Sequence, residues 1–441
     1  MRVTRVVIVG GGAGGVITAA QLLRSATSHD PVHVTLVEQR PRTGPGLAYR
    51  TRHRLHTLNN YAGRLSAFAD RPDDLVAWCR ERQYAAHEHS FLPRGLYGDY
   101  LAEVLDRVDV PTGSAVEQVR GEVVDLLPGR PHAVIVRTAP NEPEQLLRLA
   151  ADKVVLALGN PPVGRLRHLE SLGARYVADP WAEDLVEQVG PADHVLLVGT
   201  GLTTIDVAAQ LHEADPSVRL VAVSRHGLLP RTHLPFPATT GGPWTPPGGS
   251  LSAVLSGARA GVEEREGEWR PVADSLREYV NDLWHGLPPA HRERFVRHVA
   301  RWWEVHRHRT SPEMGDRIRG LVDAGSLRVA HPDDVEPASF DKVVNCTGPS
   351  PVFSSGWNPL VDALLERGLI RPHPLGRGLD LDPDAGPIGV DGAVLPGVHV
   401  VGAARRGLEW EVAAIPDLRE QAFRLARAWQ PVPTPTTAVR P

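Results

Sequence analysis

Two clusters of glycine carry the chemistry most readily read from this chain. In the first, the run Arg5-Val-Val-Ile-Val9 leads into Gly10, Gly12 and Gly15, and a helical pattern follows through Val16, Ala19, Ala20, Leu22 and Leu23. Strand, G-x-G-x-x-G and helix in that order make the fingerprint of a dinucleotide site. Gly10 permits the tight turn, Gly12 lets the backbone approach a pyrophosphate, and Gly15 lets helix and strand pack closely. The helix N-terminus then offers its free N–H groups to the phosphates. A second strand, Val32–Val37, ends in Glu38, about 20 residues on, where a carboxylate accepts hydrogen bonds from a ribose diol. That carboxylate repels a 2′-phosphate, so the site suits FAD or NAD better than NADP.

The pattern recurs with different chemistry. Strand His194–Val198 leads into Gly199, Gly201 and Thr204, then a helix through Ile205, Ala208, Ala209 and Leu211. Thr204 stands where the third glycine is usual. The next strand, Arg219–Val223, ends in Ser224-Arg225-His226 instead of an acid. An arginine there pairs with a 2′-phosphate, so the second site is expected to take NADPH and the first FAD. The alternative is a solvated Arg225 beside an NADH site.

Elements that position these residues follow from the same pattern. Strands from Lys153 to Gly159 and from Lys342 to Gly348 end in glycine turns on either side of the second unit, as expected of segments that carry the chain between two domains. The fold expected is α/β: two Rossmann-like dinucleotide-binding domains, the NAD(P)H domain inserted in the FAD domain, with a mostly helical insertion. We place the first part of the FAD domain at 1–165, the NADPH domain at 166–229 and 316–342, the insertion at 230–315, and the second part of the FAD domain at 343–441.

Composition narrows the classes further. A chain of 441 residues, with 42% hydrophobic and 23% charged residues, has the make-up of a globular protein of two or three domains. Its formal charge of -4 gives no reason to expect nucleic acid or an anionic membrane as partner. Cys79 and Cys346 form no CxxC pair, which argues against a redox-active dithiol. No apolar run is long enough to span a bilayer, and the chain enters its first strand without a signal-peptide pattern, so a cytoplasmic location is expected.

With those residues in view, the chain resembles the two-dinucleotide flavoproteins that include the flavin monooxygenases, and more closely a bacterial family of FAD/NAD(P)-binding oxidoreductases. The resemblance runs through Gly46-Leu-Ala-Tyr49, His56-Thr-Leu-Asn59, Arg64-Leu-Ser66, Ala157-Leu-Gly-Asn-Pro-Pro162 and Tyr176-Val-Ala-Asp-Pro-Trp181. It continues through Arg225-His-Gly-Leu-Leu-Pro-Arg231, Trp303-Glu-Val-His-Arg-His-Arg309, Arg406-Gly-Leu-Glu-Trp-Glu-Val412 and Ile415-Pro-Asp417. It implies that Tyr49–Ser66 borders the flavin, with Asn59 either hydrogen-bonding the ring or ribityl chain or forming a turn. It also implies that strand Gly397–Val401, ending at Gly402, precedes a helix from Pro416 whose N-terminus faces the flavin pyrimidine edge and stabilises the anionic reduced form. Glu409, Trp410 and Glu411 lie in the loop between, either lining the site or, for Trp410, anchoring the core. The Phe-x-Gly-x-x-x-His fingerprint of N-oxygenating and Baeyer–Villiger enzymes is absent at Gly159–Gly164 and on to Trp181.

The insertion opens with a Pro/Gly/Thr-rich loop from His233 to Pro247, a lid candidate, and continues into a helix expected from Pro288-Pro289 to His306. Arg294, Arg297, His298 and Arg301 form a basic stripe there, readable as an acidic-substrate or phosphate contact or as a solvated face. His306 and His308 point to different sides and lack further ligands at metal spacing, so no metal is expected.

The leading expectation is a single-component flavin monooxygenase using NADPH and dioxygen on a small molecule, with N-oxygenation as one outcome. A reductase passing electrons to a quinone or protein acceptor is the alternative, and a low-turnover flavin redox sensor a second. A homodimer is compatible with each.

Overall fold

The computed structural model describes residues 3–138, 145–238 and 243–429. Twelve named strands lie in two sheets among the described residues. In the first, β1 (Thr4–Val9), β2 (Val32–Glu38), β3 (Ala115–Leu127), β4 (His132–Thr138), β5 (Leu146–Ala151), β6 (Lys153–Leu156) and β12 (Val398–Val400) take the order β12-β6-β1-β2-β3-β4-β5. In the second, β7 (Tyr176–Val177), β8 (His194–Val198), β9 (Arg219–Val223), β10 (Leu327–Ala330) and β11 (Lys342–Asn345) take the order β10-β9-β8-β11-β7.

Sequence explains this layering. Val6, Val7, Ile8 and Val9 are all buried, as a central parallel strand covered on both faces must be. Strand β3 is parallel to β2 over Ala115–Arg120 and antiparallel to β4 from Gly121 onward, with a register shift at Val123/Asp125 inside the antiparallel part. One long strand thus runs from the parallel sheet into an antiparallel meander, and the irregularity within it adds local twist. The second sheet is parallel throughout its named pairs.

Helix α1 (Ala13–Ser25) follows β1; α2 (Asp74–Glu81) and α3 (Arg94–Ala102) lie between β2 and β3. Helix α4 (Leu185–Gln188) precedes β8, and α5 (Leu202–Ala214) joins β8 to β9. The insertion holds α6 (Leu251–Glu263), α7 (Arg270–Gly286), α8 (Pro289–Arg294) and α9 (Ala300–Arg307); α10 (Pro312–Asp323) returns to β10, α11 (Pro359–Glu366) follows β11, and α12 (Ile415–Trp429) closes the described chain. One apolar cluster lies between the first sheet and α1, α3 and α12, a second on its other face with α11, and a third around α5 and α10.

Two expectations shift at this level. All of Lys342–Asn345 hydrogen-bonds in the second sheet, so the return to the first domain falls after residue 345, not at 343. The helix expected from Pro289 to His306 is interrupted by a π turn at Phe295–Val299, an extra residue in the helical ladder. Within the insertion, α7 and α9 pack on the loop before α12, through Trp284, Trp303 and Trp410.

Candidate functional site

The first glycine turn is fixed by contacts that exclude side chains. Gly10 adopts φ +102°, and a Cβ there would lie 2.3 Å from the Ala157 carbonyl oxygen. A Cβ on Gly15 would come within 1.9 Å of the Gly10 carbonyl oxygen, so β1 and α1 approach as closely as backbone allows. Gly12 is the N-cap of α1 and no side chain caps the helix, which leaves first-turn N–H groups for an anion. The turn at Gly44–Gly46 walls this cradle: Gly44 N–H donates to the Gly11 carbonyl (2.7 Å), and a Cβ on Gly46 would sit 3.1 Å from the Gly12 Cα.

Glu38 ends β2 beside this cradle and is 6% exposed. Its Oε2 accepts from Gly11 N–H (2.8 Å) and its Oε1 from Arg40 N–H (2.9 Å). Those bonds lock the carboxylate while each oxygen retains acceptor capacity for a ribose hydroxyl. The crowded glycines, the uncapped helix and this acceptor fit the adenosine diphosphate half of FAD.

The second turn is built the same way with different edges. Gly199 adopts φ +126°, with its Cβ position 2.5 Å from the Cys346 carbonyl oxygen, and Gly201 faces open space as the uncapped N-cap of α5. Thr204 is fully buried beside the Cys346 thiol, whose pKa burial pushes up to about 12. Ser224 is committed to the turn: its hydroxyl bonds Thr200 Oγ1 (2.8 Å) and accepts from Gly227 N–H (3.1 Å). Arg225 and His226 are exposed, and Arg225 makes no ion pair among the described residues. A guanidinium with nothing to neutralise it, at the end of β9, fits a phosphate on a ribose.

Between the two sites the crossing segments run side by side. Gly159 (φ +71°) and Gly348 (φ +79°) both face open space, Val163 bridges Pro349, and Ser350 N–H donates to the Pro162 carbonyl (2.9 Å). A buried ion pair also joins the domains: Arg94 at the start of α3 meets Asp206 of α5 at 2.6 Å. Burial pushes the Asp206 carboxyl up to about 6, against the pull of Arg94. His56 packs edge-on against Trp181 in the same seam, and burial, then Arg94, lowers its pKa to about 3. Arg94 and Asp206 are not marked in the sequence, since a single charge on each of two distant helices leaves no local signal.

At the C-terminal side, Gly402 (φ +84°) donates its N–H to Gln421 Oε1 (2.8 Å), and Leu418 lies against both Gly402 and Gly14. The N-termini of α1 and α12 therefore converge. Pro416 occupies the first turn of α12, one residue after the helix starts, and Asp417 Oδ2 accepts from Ala414 N–H (3.2 Å). Asn59 is half-buried; its carbonyl lies 3.1 Å from His233 Nε2.

Two candidates turn out to be occupied by structure. Both carboxylate oxygens of Glu409, 1% exposed, are held by Arg405 (3.1 Å each), and Oε1 also by Arg424 (2.7 Å). Trp410, also 1% exposed, is wedged between Phe295 (4.8 Å) and Trp284 (5.1 Å) with Arg406 over its face. Glu409 and Trp410 fix the loop instead of lining a cavity. The stripe Arg294, Arg297, His298 and Arg301 is exposed along its length, as a solvated face is. Among the described residues no group of acidic, histidine or cysteine side chains is placed to hold a metal, and no helix is long and apolar enough to cross a membrane.

Known proteins share this fold. Residues 7–161 match the model of a family described as FAD-NAD(P)-binding. A monooxygenase of Penicillium ochrochloron is 26% identical over 235 residues; the match covers 51% of this chain and 35% of that protein's length. The ornithine hydroxylase of Pseudomonas aeruginosa superposes over 97% of this chain and 98% of its own, with TM-score 0.62 at 14% identity. L-lysine 6-monooxygenase from Pseudomonas syringae does so over 96% and 98%, with TM-score 0.58 at 17% identity. Bacillithiol disulfide reductase of Bacillus cereus covers 97% and 98%, with TM-score 0.52 at 14% identity. Residues 7–161 thus form an FAD-NAD(P)-binding domain, and the whole chain takes the fold of the two-dinucleotide-binding flavoproteins.

Proposed function

We propose that the protein is an FAD-dependent, NADPH-using monooxygenase of small molecules, with an amine nitrogen as the atom oxygenated. The observation that carries this reading is the inequality of the two sites: a locked carboxylate, Glu38, at one, and an unpaired guanidinium, Arg225, at the other. FAD, when bound, supplies hydride acceptance from NADPH and electron transfer onward to dioxygen. Gly10, Gly12 and the α1 N-terminus bind its pyrophosphate and Glu38 its ribose. Gly199, Gly201 and the α5 N-terminus take the NADPH pyrophosphate, and Arg225 its 2′-phosphate. The α12 N-terminus, beginning at Ile415 and Pro416, stabilises negative charge at the edge of the flavin ring. The loop that carries Trp410, clamped by Trp284, Asn281 and Trp303, keeps water from that edge. Support for oxygen as acceptor comes from the monooxygenase relative and the hydroxylase neighbours. A cytoplasmic location and a homodimer belong to the same reading.

The test is aerobic NADPH oxidation by the FAD-loaded protein with L-ornithine, L-lysine and cadaverine, reading oxygen uptake, hydrogen peroxide and hydroxylamine together. Hydroxylamine formed in step with NADPH consumed supports oxygenation. If oxygen uptake ends wholly in peroxide with every amine while quinones accelerate NADPH oxidation, the reading gives way to an acceptor reductase. The missing oxygenase fingerprint and the reductase neighbour favour that second reading.

A further inference from the structure

Beneath α12, the insertion and the Tyr49–Ser66 segment bury a group of charges that the nucleotide sites do not use. Arg277 of α7 pairs with Asp417 in the first turn of α12 (3.2 Å), and Arg307 of α9 approaches Glu411 (3.5 Å). Arg309 pairs with Asp274 and donates Nε–H to the His306 carbonyl (2.8 Å). Arg64 lies over the ring of Tyr61 (5.5 Å), and that ring lies 5.1 Å from His233. Arg64 and Arg307 are close enough to act on the charge of both Arg277 and His233.

Cations exceed anions in this group. Among the described residues the guanidinium groups of Arg64, Arg277, Arg307 and Arg309, with Arg270 acting on Arg309 and Arg419 beside Asp417, outnumber the carboxylates Asp274, Glu411 and Asp417. His233 is neutral, its pKa lowered by burial and by Arg309 to about 3. The carboxylates are also partly spent: Trp303 Nε1–H donates to Glu411 Oε1 (2.9 Å), and Ala414 N–H to Asp417. Meanwhile Nε of Arg277 and Nε of Arg307 are buried without a hydrogen-bond partner, Nη2 of Arg307 has only the long 3.5 Å approach of Glu411, and the Arg307 side chain is only 10% exposed. Buried charged donors are rarely left unmade, because each such group loses its hydration without replacement.

We propose that this junction binds the carboxylate of a small-molecule substrate, with Arg307 and Arg277 as its main contacts and Arg64 supplying the excess charge. A carboxylate brings negative charge to a group in which cations are in excess, and two coplanar oxygens that suit the guanidinium fork. The place is apt for a substrate, since the group adjoins Asn59 and the first turn of α12, the two features that the FAD reading sets at the flavin ring. The inference rests on that reading and adds to it the class of substrate: an acid, such as an amino acid, over a simple amine.

Benzoate and acetate serve as probes, against benzamide and acetamide, titrated into the FAD-loaded protein by calorimetry and by flavin difference absorbance. We expect saturable binding of the acids and none of the amides. Arg307→Met should weaken it roughly tenfold or more, as loss of a charged hydrogen bond does, and Arg307→Lys less. Because Arg307→Met strands Glu411, the double change Arg307→Met with Glu411→Gln removes both charges together and should show the same loss. Equal binding of acids and amides, no binding of either acid, or unaltered affinity in both variants would overturn the proposal. A preparation that retains FAD and is reduced by NADPH, yet ignores the acids, fails this inference alone. One that retains no FAD fails the cofactor reading, while the benzoate heats still report on the arginines.

Discussion

At the scale of single residues, the two nucleotide sites differ by one charge each. Arg225 is exposed and unpaired, so its removal leaves no buried partner behind and the fold should be unaffected. Arg225→Ala should raise KM for NADPH by roughly 10- to 100-fold, the worth of a charge-assisted hydrogen bond to phosphate, and leave KM for NADH nearly unchanged. Steady-state kinetics with both coenzymes check this; equal rises would mean that Arg225 does not meet the 2′-phosphate. Gly15→Ala tests the first site more severely. With the Gly10 carbonyl oxygen 1.9 Å from the added Cβ, helix and strand must separate, and the purified variant should carry no FAD by absorbance.

At the scale of elements, the loop before α12 owes its shape to the insertion. Asn281 of α7 donates to the Glu411 carbonyl (3.0 Å) and accepts from Trp410 N–H (3.0 Å) and Glu411 N–H (2.9 Å). Trp284 Nε1–H donates to the Gly407 carbonyl (3.1 Å). Asn281→Leu keeps the volume and removes three bonds, leaving polar backbone unmet; it should cost about 1–3 kcal/mol. The better readout is faster loss of FAD on dilution, because the loop leads directly into α12. Trp410→Ala should cost about 3–5 kcal/mol, as truncation of a buried large aromatic does. Chemical denaturation measures both. A Trp410 variant with full stability and no flavin reduction would return that residue to the site.

For the molecule as a whole, acid stability is set by buried groups at the seams. His56 and His233, held neutral with pKa values of about 3 against 6.5 when free, bind protons only in the unfolded chain between those values. Falling pH across that window therefore favours unfolding. Asp206 acts oppositely: raised from 3.8 to about 6, it binds its proton in the folded chain there, so its contribution weakens stability as pH rises through that interval. Two histidines with the wider windows should outweigh one carboxylate. The urea midpoint should drop as pH falls from 6.5 towards 4, and His233→Gln should make that drop shallower. An unchanged slope in the variant would show that His233 is not buried neutral.

Much of this protein is local in sequence. The turns at Gly10–Gly15 and Gly199–Thr204 are legible because strand, turn and helix are consecutive, and each fixes which backbone atoms meet a phosphate. Glu38 and Arg225 are legible for the same reason: each ends the strand after its turn. The second sheet's claim on Lys342–Asn345 was not, since a short apolar strand pairs with whichever edge the fold presents. Nor were the roles of Glu409 and Trp410, which depend on Arg424, Trp284 and Phe295 arriving from three other stretches of chain. The glycine sites were thus determined by the sequence itself, through backbone sterics that act over a dozen residues. The seam between the two domains and the surroundings of the α12 N-terminus were decided only by tertiary structure, because their ion pairs, Arg94–Asp206 and Arg277–Asp417, join residues more than a hundred positions apart.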